Sequence, residues 1–337
     1  SIPDPAERFR RMLHREPKTA PEYIYPVDEW RIVEKRFSRD YLEQAETLFS
    51  LANGYLGMRG SFEEGRPVFQ SGTFVNGFHE PWPIPYGETA YGFATTGQTM
   101  LNVTDAKLLK LYVDDEPFAI EFAHLLHYER VLDMRRGVLE RTILWETPAG
   151  KRVEIRSTRL VSFAHRHLAA VNYEVTVHAA APVVLASEMI VPTHTGAQEG
   201  DPRRTRGFEQ RVLRAEGCRH EGRRLLQAHR TRNSGMTMAC AVDHLVDTDC
   251  HFTTDTRCED DEAALVFSIN AQPGQSFRVT KFITYHTSHT SSAEELSERA
   301  GRTLDRAMAG GWRELLTSQV EFLAERWRRS DVQIKGD

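Results

Sequence analysis

Three segments of this chain combine residue types that could do chemistry. In 46–65, Gly54, Gly57 and Gly60 fall at three-residue steps beside Arg59 and the pair Glu63-Glu64. Such glycines suggest a phosphate cradle, but they fit neither P-loop nor dinucleotide spacing, and no Lys-Ser pair or βαβ unit follows. Tight turns and close backbone packing are the simpler use, with Arg59 free to grip Glu63 or Glu64 in a bidentate pair. In 72–88, Pro81, Pro83 and Pro85 stand among four rings, Phe74, Phe78, Trp82 and Tyr86, which predicts a stiff loop. Sugar sites favour that mixture, since rings pack on pyranose faces while carboxylates and amides take the hydroxyls. The competing use is packing, with the rings plugging the end of the fold or meeting a second subunit.

The third candidate is His165 with His167, which alternate on an expected strand and would share a face. No acid or cysteine accompanies them at metal-site spacing, so structural histidines are expected and no metal is assigned. Paired carboxylates are what glycoside cleavage demands. Glu63-Glu64 and Asp114-Asp115 are adjacent, however, and adjacent strand residues point to opposite faces while turn residues meet water. Both pairs are expected to be solvated. No Ser-His-Asp set or nucleophilic cysteine motif is present, so no catalytic residue is assigned.

The elements that must position these residues are strands. From about residue 30 to 286 the pattern has period two, broken by turn signals every eight to fifteen positions. Leu109, Leu111 and Val113 alternate with polar neighbours before an Asp114-Asp115 turn. Segments 141–146 and 151–157 flank a second turn at Thr147-Pro148-Ala149-Gly150. Val171, Tyr173, Val175 and Val177 share one face. Further strands are expected over 183–190, 209–215, 223–231, 236–246, 251–256, 264–269 and 276–287. The sum is a mainly β protein, a large antiparallel β-sandwich. Near Ser291 the period changes. Ser291-Ser292 followed by Glu294-Glu295 reads as a capped helix start, and Leu296, Ala300, Leu304 and Ala307 follow at helical steps. Gly310-Gly311 should break that helix. A second, from Trp312 to about Arg329, carries Leu316, Val320, Leu323 and Trp327 on one stripe. The domains expected are 1–290, the sandwich, and 291–337, a short helical linker.

Composition narrows the function classes. The 337 residues are 40% hydrophobic and 27% charged, with a net charge of -5 spread along the chain. A nucleic-acid partner needs a concentrated basic face, and Arg203-Arg204-Thr205-Arg206 reads as a solvated part of a long mobile loop at 196–207. No stretch approaches the ~18 apolar residues of a membrane span, and residues 1–15 lack a signal-peptide core. The expected compartment is therefore cytoplasmic, with Cys218, Cys240, Cys250 and Cys258 as reduced thiols. The acceptor pattern Asn102-Val103-Thr104 then carries no meaning.

Several of these segments together resemble a known family. Residues 46–65 and 72–88, with Ala90-Tyr91-Gly92-Phe93-Ala94-Thr95-Thr96-Gly97-Gln98-Thr99, look like the amino-terminal domain of glycoside hydrolase family 65. Val131-Leu132-Asp133-Met134-Arg135-Arg136-Gly137, Trp145-Glu146-Thr147, residues 157–170 and the stretch from Trp327 to Val332 continue the likeness in order. The resemblance implies a super-sandwich, galactose-mutarotase-like, whose helical linker leads to an (α/α)6 barrel bearing the catalytic glutamate and phosphate site. The family comprises maltose, trehalose, kojibiose and nigerose phosphorylases and some trehalose hydrolases. It uses no cofactor beyond inorganic phosphate as co-substrate, which attacks the anomeric carbon of an α-glucoside to give β-glucose 1-phosphate. The barrel is absent here, so the resemblance implies a chain without turnover of its own. What it offers instead is a partner surface for that barrel, a homodimer contact, and a disaccharide-pocket rim at His79, Glu80, Trp82 and Tyr86. Two other readings compete. An aldose-epimerase-like enzyme would need His165 or His167 to converge with Glu174, and a free-standing carbohydrate-binding module would need only an aromatic platform. The amphipathic helices serve as a connector in the first reading and have no evident purpose in the other two.

Overall fold

A computed structural model describes residues 21–86, 88, 90–192, 208 and 211–332; the expected loop at 196–207 lies outside them. The largest sheet has nine strands in the spatial order β1 (Arg31–Glu34), β8 (His124–Asp133), β9 (Val138–Glu146), β10 (Arg152–Val161), β11 (Leu168–Val177), β18 (Ser276–Ser288), β15 (Thr237–Thr248), β14 (Arg224–Thr231) and β13 (Leu213–Glu221). A five-stranded sheet faces it, ordered β16 (His251–Cys258), β17 (Glu262–Ala271), β12 (Ala181–Ile190), β6 (Leu109–Val113) and β7 (Glu116–Pro117). A four-stranded sheet, which packs into the same core, is made of β2 (Leu51–Ala52), β3 (Leu56–Met58), β4 (Thr73–Pro83) and β5 (Thr96–Asn102). Every pairing is antiparallel. A short helix, α1 (Leu42–Leu48), precedes β2.

Alternation explains the core. Val171, Tyr173, Val175 and Val177 of β11 point inward to meet Val183 and Leu185 of β12 and Phe267 and Ile269 of β17. The Asp114-Asp115 turn joins β6 to β7 with φ 52° and 66°, the doubly left-handed backbone that matches strand twist and that aspartate tolerates. Gly54 sits at φ 85° in the turn between β2 and β3. Gly60 lies against Phe49, where an added Cβ would come within 2.7 Å, so close packing is what this glycine serves. The strand expected over 209–215 is displaced to Leu213–Glu221. It pairs with β14 across a turn at Gly222 (φ 56°), and a bulge at Ala215/Gly217 absorbs the irregular alternation.

The carboxy-terminal helix α2 (Ala293–Ser330) starts at Ser292, whose hydroxyl accepts from the Glu295 amide at 3.2 Å, and kinks at Gly311 (φ 69°, ψ -177°). Its stripe Leu296, Ala300 and Leu304 buries against Ala239, Ala241 and Phe282 on the outer face of the nine-stranded sheet, forming a second core. The helix pair thus has its own sandwich as a partner surface. Beyond the kink the buried face is Leu315, Gln319 and Leu323; Leu323 belongs to the expected stripe, while Leu315 and Gln319 replace Leu316 and Val320. Gln319 carries the difference. Its amide donates to the Gly137 and Val161 carbonyls at 3.1 and 3.3 Å, and its oxygen accepts from the Phe163 amide at 2.9 Å. The glutamine locks helix to sheet by pairing backbone groups that the strand ends leave open.

The cysteines depart from expectation. Cys218 on β13 and Cys258 on β16 form a disulfide, with Cα atoms 5.8 Å apart, while Cys240 and Cys250 are free and buried. The two residues are 40 apart in sequence and meet because the fold brings the edge strands of opposite sheets together. Among the described residues no helix is long and apolar enough to cross a membrane.

Candidate functional site

The four rim candidates lie on or just beyond β4, which is a strand through Pro83 where a stiff loop was expected. Prolines fit there for a local reason. β3 pairs only residues 73–75 of β4, so from His79 onward one side of the strand is unpaired and the missing amide hydrogens of Pro81 and Pro83 cost no ladder bond. β4 and β5 then run as a hairpin, with a bulge between Phe74 and His79.

Each candidate has a definite setting on that hairpin. Glu80 is 1% exposed, and its carboxylate accepts from the amides of Asn233 and Ser234 at 2.7 and 3.0 Å and from the Ser234 hydroxyl at 3.2 Å. That hydroxyl also reaches the His79 carbonyl at 2.7 Å. Glu80 therefore fastens the hairpin to the β14–β15 turn, and its oxygens are committed. Trp82 is buried, donates to the Thr99 hydroxyl at 2.9 Å, and lies so close over Gly97 that a Cβ there would come within 2.4 Å of the ring. His79 is half-buried, with Nδ1 at 2.9 Å from the Gly77 carbonyl and its ring centroid 6.4 Å from that of His289. Tyr86 meets Phe93 at 5.0 Å near the hairpin tip, beside the fully exposed Tyr91. The structure thus gives Glu80 and Trp82 holding contacts and leaves His79, Tyr86, Tyr91 and Phe93 the partly open surface. Asn233 and Ser234 were not found from sequence; the signal available was only the Asn-Ser-Gly turn ending at Gly235 (φ 66°).

The carboxylates Glu63 and Glu64 are buried, against the expectation that both meet water. Segment 59–65 is irregular and crosses the sandwich interior, so the strand rule of opposite faces does not apply. Glu64 takes a bidentate pair from Arg141 at 2.6 and 2.7 Å and a bond from the Tyr173 hydroxyl at 2.7 Å. Glu63 lies 3.2 Å from Arg141 and 3.4 Å from Arg159. Burial alone would raise the Glu63 carboxyl, but the Arg159, Arg141 and Arg130 charges outweigh it and hold the group below its ordinary value. Arg130 stacks on Phe49 and Phe62 with its guanidinium 4.5 and 4.7 Å from the ring centroids and donates to the Gly60 carbonyl. Beside it, Glu34 accepts from Tyr25 at 2.7 Å and from Tyr128, and burial together with that carboxylate pushes both phenols up. Arg59 turns elsewhere, 3.5 Å from Glu46. With every carboxylate matched to arginine or phenol, the network's charges are committed to one another and serve to position the chain.

The histidine pair does not alternate on a strand. His165 and His167 occupy the turn between β10 and β11. His167 stacks on His286 at 4.2 Å and 12°, sets Nδ1 3.0 Å from the Tyr285 carbonyl, and accepts from Arg166 at 3.1 Å through Nε2. Burial lowers both rings, His286 to about 3, which keeps them neutral. Glu174 is paired with Arg278 at 3.0 Å. Six residues of β11 stand between it and His167, so it lies roughly 20 Å away at ~3.3 Å per residue and no epimerase-like dyad assembles. Among the described residues no cluster of three or more His, Cys, Asp or Glu is arranged to hold a metal.

A sandwich of facing nine- and five-stranded antiparallel sheets, with a kinked helix on its outer face, defines the class of protein; comparison with known proteins defines the family. The glycosyl hydrolase family 65 N-terminal domain matches residues 32–326, and the chain belongs to that family. It is 37% identical over 319 residues to an alpha,alpha-trehalose phosphorylase of Thermoanaerobacter brockii, covering 93% of this chain and 41% of that protein. An uncharacterized glycosyl hydrolase of Mycobacterium tuberculosis is also 37% identical, over 94% of this chain and 40% of the relative. A maltose phosphorylase of Bacillus subtilis is 27% identical over 93% of the chain and 40% of its own length. The chain therefore spans about 40% of the length of these curated relatives. A solved structure described as a putative kojibiose phosphorylase from human microbiome shares the fold, with a TM-score of 0.79 at 17% identity over 90% of this chain and 39% of its own.

Proposed function

We propose that this chain is the non-catalytic amino-terminal domain of an inverting α-glucoside phosphorylase, supplying assembly contacts and part of the pocket rim. The observation that carries the reading is the extent of the match. Likeness to a trehalose phosphorylase runs along nearly all of this chain yet occupies only 41% of that enzyme, under a family defined as an N-terminal domain. In the complete enzyme an (α/α)6 barrel carries the acid that protonates the glycosidic oxygen. Phosphate attacks the anomeric carbon from the opposite face, releasing glucose and β-glucose 1-phosphate with inversion. No cofactor takes part. The domain acts as one half of a homodimer, with the barrel as its main partner.

On this reading Glu80 and Trp82 stiffen the β4–β5 hairpin, while His79 and Tyr86 present a ring surface to the disaccharide. The test is a phosphorolysis assay. The 337-residue chain is incubated with phosphate and trehalose, maltose, kojibiose or nigerose, alone and then with the separately produced barrel of a relative. Glucose 1-phosphate only when both parts are present is expected. Turnover by the chain alone refutes the reading, and free glucose without phosphate in the mixed sample makes the parent a hydrolase instead.

A further inference from the structure

A cleft of about 590 Å³ opens on the flank of the sandwich, between the irregular segment 61–71, strand β6 and the turn at 117–122. Its floor and mouth contain polar groups that neither the core network nor the rim hairpin uses fully. We propose that this cleft is a carbohydrate-binding site for a neutral mono- or disaccharide.

Three polar groups converge on it. Ser61 lines the cleft, is 3% exposed, and its hydroxyl oxygen has no partner among the described residues. Such a group is satisfied when a ligand hydroxyl reaches it. Ser61 is also held in place from below, since its carbonyl accepts from Arg159 at 3.0 Å. Glu64 contributes the second group. Its Oε2 accepts one bond, from Arg141 at 2.7 Å, which leaves lone-pair capacity on a residue that lines the cleft. Asp105 is the third, with Oδ2 engaged by Lys107 at 2.6 Å and Oδ1 meeting only a 3.5 Å contact from the Lys107 amide. Both carboxylates are fixed by their own cations, so a ligand finds acceptors already held and need not order them.

The walls are apolar. Leu108 and the buried Phe118 form the inner side, and Phe122, 80% exposed, stands at the mouth. A ring beside fixed acceptors suits a pyranose, which offers hydroxyl donors on its edge and C–H groups on its face. The volume lies within the range of small-molecule sites. Charge favours a neutral guest, because Glu64 and Asp105 are each balanced within the protein and would repel an anion that displaced their cations. Arg66, exposed and part of the lining, would favour a phosphate-bearing sugar, so both kinds of ligand enter the test.

The proposal does not depend on the phosphorylase reading and is read by binding alone. Isothermal titration of the 337-residue chain with glucose, trehalose and maltose is expected to show saturable binding of at least one, with a Kd on the order of 1 mM. Phe122→Ala should weaken it about tenfold by removing the stacking ring. Ser61→Ala should weaken it about fivefold, the loss of roughly one hydrogen bond. Neither change threatens the fold, since Phe122 is exposed and the Ser61 hydroxyl is unpartnered. No binding of the three sugars at about fifty times that Kd overturns the site, as does binding that both variants leave intact. Glucose 1-phosphate binding tenfold more tightly than glucose, with that advantage lost in Arg66→Ala, overturns the assignment of a neutral ligand.

Discussion

Replacing Arg141 with methionine removes the cation that joins Glu63 to Glu64 inside the sandwich. The Arg141 side chain is 2% exposed, and its loss leaves Glu64 with the Tyr173 hydroxyl and Glu63 with Arg159 at 3.4 Å. Deleting one partner of a buried ion pair costs about 3–5 kcal/mol, because the remaining charge keeps its desolvation penalty. With an unfolding entropy of roughly 2 cal/mol/K per residue, that is a fall of about 4–7 °C in melting temperature for a chain of this size. Methionine conserves the volume of the stem, so little of the loss comes from a cavity. The decisive comparison is the double variant Arg141→Met with Glu64→Leu, measured by urea denaturation alongside each single. Removing both charges should recover at least about 2 kcal/mol relative to the sum of the singles. Additive losses, or an Arg141→Met loss under about 1 kcal/mol, would show that the two charges do not compensate each other and would refute the reasoning.

Other consequences are as direct. Gln319→Ala strands the Gly137 and Val161 carbonyls and the Phe163 amide, and should cost about 2–4 kcal/mol, with hydrogen exchange speeding first in the helix beyond Gly311. Gly137→Ala should be comparably harmful: the backbone is at φ 62° and the new Cβ would stand 2.3 Å from Leu323. Lys281 is fully buried, donates to the Leu108 and Glu188 carbonyls, and is lowered by burial to about 7 from 10.5. Between pH 7 and 10 the unfolded chain binds the extra proton, so stability should rise with pH across that window, and Lys281→Met should flatten the rise in calorimetry. Reduction of Cys218–Cys258 frees a 40-residue loop and should cost about 4 kcal/mol by chain entropy. A reduced protein as stable as the oxidised one would show that the β13–β16 edge holds without its clip.

Period-two alternation made the sandwich readable, because each inward face must bury its own residues whatever the rest of the chain does. The pattern at Val171, Tyr173, Val175 and Val177 survives intact in β11. The turn at Asp114-Asp115, the Ser292 cap and the break at Gly310-Gly311 were readable for the same reason, since each is fixed by backbone conformation within a few residues. Local chemistry said much less about the candidate site. Prolines in β4 suggested a loop, and only the early end of β3 shows why a strand tolerates them. Glu80 read as a possible sugar ligand, yet the turn that occupies its carboxylate lies 153 residues away.

What the sequence determined by itself is therefore the local and periodic part: the strands, the helix start, the kink, and through its ordered motifs the family. Tertiary structure alone decided which charges are buried, which cysteines meet, and which polar residue locks the helix. Glu63, Glu64 and Arg141 look like ordinary surface residues in a string, as Gln319 looks like a solvated helix position. Their roles arise from desolvation and from partners dozens to more than a hundred residues away, and neither is encoded within the span of a turn or a strand.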